Sequence, residues 1–112
     1  MIAAGNRPPS ARSGRPGARE ELIAALAARG GEESDVRALP SRNWASATFS
    51  GARHRLEICL PSAAAVAAFE DGLADAQFAL RGHLVADIVV AGRRAAGAGT
   101  LLEIEALTIE ES

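Results

Sequence analysis

The sequence predicts an α+β domain in the order α-β-β-α-β-β: a four-stranded, mainly antiparallel sheet with two helices packed on one face. Three observations carry this reading. Apolar residues recur at helical spacing over residues 18–29 and again over 62–73. They alternate with polar residues over 53–60, 83–91 and 100–106, the period of a strand. Clusters of Gly, Pro and Ser punctuate the runs. One set of helices against one sheet is a stable two-layer solution. The two αββ halves are of similar length but share little residue-by-residue similarity, so no internal repeat is assigned.

Residues 1–16 are rich in Pro, Gly, Ser and Arg and predict a disordered tail, leaving 17–112 as the single folded domain. Ala18 to Arg29 reads as the first helix. Leu22, Ile23 and Leu26 form its stripe, Glu20 and Glu21 occupy the dipole-favoured first turn, and Gly30-Gly31 stops it. Glu32 to Arg42 reads as a polar connector with an extended step at Leu39-Pro40. Trp44 to Leu60 reads as a β-hairpin turning at Ser50-Gly51-Ala52. Either choice of turn residues pairs odd positions of the first strand with even positions of the second. This puts Ala45, Ala47, Phe49, Leu56 and Ile58 on one apolar face and Trp44 on the other. Ser62 is the expected N-cap of a second helix with Val66, Phe69 and Leu73 on its buried stripe, and Gly72 near its end. Phe69 should pack on the sheet face that carries Leu56 and Ile58. His83 to Ala91 reads as a strand that is apolar on both faces, hence central. Gly92 to Gly99 reads as a flexible loop. Thr100 to Glu110 is the last strand, with a parity break at Leu107 and Ile109 that points to a bulge or a change of environment near Ala106.

The composition is 48% hydrophobic and 23% charged, which places the chain among globular proteins. Alanine supplies much of the apolar count and aromatics only 4%, so the core rests on few large side chains and should be thin. The net charge of −2 argues neither for nucleic acid nor for membrane as a partner of the whole chain. Every basic residue is arginine, a pattern that GC-rich coding explains. No apolar run is long enough to cross a bilayer, and Met1 to Pro9 lacks the apolar stretch of a secretory leader, so a cytoplasmic location is expected. A lone cysteine, Cys59, excludes a disulfide scaffold.

No catalytic, metal or cofactor motif emerges. The run Gly92 to Thr100 has the glycines of a phosphate loop, but Ala98 and Gly99 stand where Lys and Ser or Thr are needed. His54 falls on an apolar strand face, as a hydrogen-bonded core histidine does. His83 and Asp87 share strand parity but lie ~13 Å apart. Two histidines and one cysteine on different strands do not make a zinc site, and no metal or cofactor is expected. Cys59 has no neighbouring cation or helix N-terminus to activate it.

Two readings follow. The favoured one is a non-catalytic interaction or ligand-binding module acting as a homodimer, with Trp44, Arg53, Arg55, His83 and Asp87 as the candidate binding residues; no small-molecule ligand is indicated. Two helices cover one sheet face, so the opposite face, with Trp44, Val85, Val89 and Leu101, needs cover that a second copy would supply. Arg53 or Arg55 would then meet Glu103 or Glu105 across the two-fold. The alternative is a small enzyme built around His83, Asp87 and Cys59. A nucleic-acid module, using the arginine tail and Trp44, is disfavoured because base-stacking sheets present several aromatics.

Overall fold

A computed structural model describes residues 17–78 and 80–111. The tail 1–16, expected to be disordered, lies outside the described residues. The elements are α1 (Ala18–Gly30), β1 (Asp35–Ala38), β2 (Arg42–Ala45), β3 (Ser50–Leu60), α2 (Ala63–Glu70), a 3-10 turn (Leu73–Asp75), β4 (His83–Ala96) and β5 (Gly99–Glu110). The fold is α+β. All strand pairings are antiparallel, and the sheet runs β1-β3-β5-β4, with β2 also beside β3.

Both helices lie on one face of this sheet. Leu22 and Leu26 of α1 and Val66 and Phe69 of α2 join Leu56, Ile58, Leu60, Leu102 and Ile104 in one core. Phe69 is fully buried there, as its position on the helix stripe requires. Ser62 caps α2 by accepting a hydrogen bond from the Ala65 N–H at 3.1 Å. Gly72 ends the helical segment at φ +71, a left-handed backbone that favours glycine. One tie between the helices had no sequence signal. Arg29, in the last turn of α1, donates from Nε to the Phe69 carbonyl at 2.8 Å and from its terminal nitrogen to the Asp71 carbonyl. Its guanidinium lies over the Phe69 ring, 5.8 Å from the centroid.

The sheet has five strands rather than four, because the stretch read as a connector contains β1. β1 and β2 form one broken strand along β3. Ala38 is opposite Leu56 and Arg42 opposite Arg53, so the edge holds one residue more than β3 across the break. Pro40, which has no N–H to donate, sits in that break. The extra residue reverses parity. Val36 and Ala38 face the helices in β1, whereas in β2 Arg42 and Trp44 face away from them.

The β2–β3 turn falls earlier than expected. Ala45 pairs with Ser50, leaving Ser46 to Phe49 as the loop, and the Ser46 hydroxyl accepts the Phe49 N–H at 3.1 Å. Odd still pairs with even, so Trp44 does lie on the face opposite Leu56. Ala47 and Phe49, however, are loop residues, and Phe49 is 54% exposed rather than in the core. Gly51 is not a turn residue. It pairs with Ile109 inside the sheet, where a Cβ would overlap the Thr108 carbonyl.

The segment 92–99 is strand, not loop. Ala96 pairs with Gly99 around a two-residue Gly97-Ala98 turn, with Gly97 at φ +59. β4 is an edge strand, not a central one. Its register slips between Val85 and Asp87 and between Val90 and Gly92. The first slip sends Leu84 to the open face and Val85 to the helix face, reversing their expected places. Bulges, not cover on two sides, make β4 apolar on both parities. β5 itself is regular. Its parity break is a change of environment: Leu107 and Ile109 point to the open face.

Candidate functional site

The face opposite the helices is built in rows by the register, and each row crosses three or four strands. Trp44, Gly51, Ile109 and Leu84 form an apolar row at one end. Next come Arg42, Arg53, Leu107 and Asp87, then Arg55, Glu105 and Val89. Arg37, Glu57, Glu103 and Gly92 follow, and Asp35, Cys59, Leu101 and Arg94 close the far end.

The two ends differ in how their charges are satisfied. At the far end Glu57 has only 11% of its side chain exposed, and two arginines hold it: Arg37 at 3.0 Å and Arg94 at 3.5 Å. Arg94 also reaches Glu103 at 2.8 Å. The hydrogen bond to Glu57 raises the Arg37 pKa above its ordinary value. Near the Trp44 end the pattern is different. Arg42, Arg53, Arg55, Asp87, Glu105 and Val89 line a concave cavity of about 440 Å³. Arg42 and Arg53 stand directly opposite each other, an arrangement that like charges disfavour. Among the described residues, no ion pair within 4.0 Å joins these three arginines to Asp87 or Glu105. The result is that this end of the face is split by sign, with arginines on β2 and β3 and carboxylates on β5 and β4. Val89, 42% exposed, and Leu84, 53% exposed, add apolar surface beside it.

Of the candidate residues, Arg53, Arg55 and Asp87 come together in this cavity, and Trp44 lies in the adjoining row. His83 does not join them. It pairs with Glu110 at the other side of the sheet, in a separate concavity of about 550 Å³ between the α1 N-terminus and the helix face. His54 lines that side too, and its ring is held on both nitrogens: Ser41 Oγ lies 3.1 Å from Nδ1 and Thr108 Oγ1 3.0 Å from Nε2. Burial, and secondarily the charge of His83, lowers the His54 pKa and keeps the ring neutral at pH 7. Cys59 pairs with Leu101 and His83 with Glu110, at opposite ends of β5 and about 30 Å apart at ~3.3 Å per residue. The three residues of the enzyme alternative therefore share no pocket. Among the described residues no group of three His, Cys, Asp or Glu side chains could hold a metal ion.

Arg42, Leu107 and Glu105 complete the cavity. Arg42 was missed because the sequence assigns it to the polar connector ahead of the strand, although it shares the parity of Trp44. Leu107 and Glu105 were visible as the residues on the odd face of the last strand. No known family model matches this chain, and no curated protein or solved structure matches it significantly. No helix among the described residues is long and apolar enough to cross a membrane.

Proposed function

We propose that the chain is a non-catalytic interaction module that acts as a homodimer through its open sheet face. One observation supports this reading: towards the Trp44 end the face is divided by sign, with no ion pair within the chain joining Arg42, Arg53 or Arg55 to Asp87 or Glu105. A surface that carries both signs side by side is self-complementary, which an isologous contact needs. Size supports the reading as well. Four strands ~4.8 Å apart and about 12 residues long at ~3.3 Å give roughly 800 Å², the area one partner buries in a standard interface. The cytoplasm, where a free Cys59 stays reduced, is the location this reading adopts.

The test uses Trp44, the only tryptophan, as reporter. Diluting the protein from high to low micromolar concentration should shift its emission to the red as the face is uncovered. Val89→Arg should shift that transition to at least ~10-fold higher concentration, the effect of about 1.4 kcal/mol, with far-UV dichroism unchanged. An emission spectrum independent of concentration, or a monomer that binds an oligonucleotide in a salt-dependent manner, would overturn the reading in favour of another partner.

A further inference from the structure

From the row order we infer how the two copies sit: the two-fold axis runs along the strands, in the plane between the sheets, above the gap between β3 and β5. This inference rests on the dimer reading above and goes beyond it to the geometry of the contact.

Two orientations stack one face on its own copy. An axis across the strands lays β3 over β3 and β5 over β5. It also reverses the order of the rows. Centred on the Arg55 row, it stacks Arg55 on Arg55, Glu105 on Glu105 and Arg42 on Arg37, and among the charged positions only Arg53 and Glu57 gain an opposite partner. An axis along the strands exchanges the sides instead: β3 lies over β5 of the second copy, and β2 over β4, while each row stays level with itself.

The rows then match. Trp44 lies over Leu84 of the second copy, and Gly51, which has no side chain, over its Ile109. Arg42 meets Asp87, and Arg55 meets Glu105. At the far end Asp35 meets Arg94, and Cys59 meets Leu101. Glu57 over Glu103 is the one like-charged match, and the ion pairs from Arg37 and Arg94 already neutralise it within each chain. Arg53 lies over Leu107 and Arg37 over Gly92 without an opposite charge, but Arg42, Arg55 and Asp35 each gain one, whereas the like charges stacked at Arg55 and Glu105 would select against the other orientation.

The alanines of the β4 edge allow a test that leaves every one of these contacts but that of Cys59 intact. Ala86 and Ala91 are the unpaired residues at the two register slips, and Ala95 lies nearer the turn; all three are exposed. Nitroxide labels are placed singly at Ala86→Cys, Ala91→Cys and Ala95→Cys in a Cys59→Ser background, and interchain distances are read by pulsed electron paramagnetic resonance. With the axis along the strands each label stays level with its counterpart. The distance then changes by less than ~2 Å per residue moved along β4, even with sheets packed at about 30°. With the axis across the strands it changes by ~6–7 Å per residue once away from the axis. The first pattern supports the inference. The second, in a protein that sediments as a dimer, overturns the orientation and leaves the dimer standing. A monomer without an interchain distance overturns both.

Discussion

The imidazole of His54 is held between two hydroxyls inside an otherwise apolar layer, 4% exposed. Its proton is therefore costly to add in the folded chain. The folded pKa lies below the unfolded value near 6.5, so the unfolded state binds more protons as pH falls through that value. The His54 contribution to stability is fully present above pH ~6.5 and declines below it, levelling off under the folded pKa. Between pH 7.5 and 5.5 the wild-type urea midpoint should fall further than that of His54→Asn. A larger fall in the variant would contradict the assignment. Thr108→Val leaves the ring nitrogen without its partner and should cost ~1–3 kcal/mol. Phe69→Ala opens the centre of the core and should cost ~3–5 kcal/mol, read as a lower denaturation midpoint. The burial of both His54 and Phe69 was legible from strand and helix periodicity. The Arg29 contacts were not, because the carbonyls it caps lie 40 or more residues away.

At the scale of elements, periodicity located both helices and the strands β3 and β5, where one face is apolar and unbroken. It failed where one residue was inserted. The Pro40 break hid β1, whose parity is opposite to that of β2, and the slip after Val85 exchanged Leu84 with Val85 between the two faces. Parity arguments carry no memory of an extra residue, so each insertion inverts everything beyond it. Two glycines misled in the same way. Gly51 and Gly92 resemble turn residues in sequence, but both stand inside paired strands. At Gly51 a side chain would strike backbone that cannot move aside, so Gly51→Ala should destabilise by ~1–3 kcal/mol, the range for overpacking. A midpoint within error of wild type would show that β5 yields at Thr108.

At the scale of the whole molecule the chain is a two-layer slab, 47 × 31 × 20 Å. Its radius of gyration, 15.4 Å, exceeds the ~13 Å of a compact chain of about 100 residues. The helices cover one side of the sheet and nothing in the described residues covers the other. That much was foreseeable from two helices and one sheet. The separation near the Trp44 end of arginines on β2 and β3 from carboxylates on β5 and β4 was not, since it depends on the register between strands distant in sequence. A second copy laid on the open face would turn the slab into a four-layer body and pair charges that each chain leaves unmet. Sedimentation equilibrium of the wild-type protein over the micromolar range measures this directly. The expected result is twice the chain mass, with dissociation as salt rises because exposed and rim charges are screened. A single-chain mass throughout that range would contradict it.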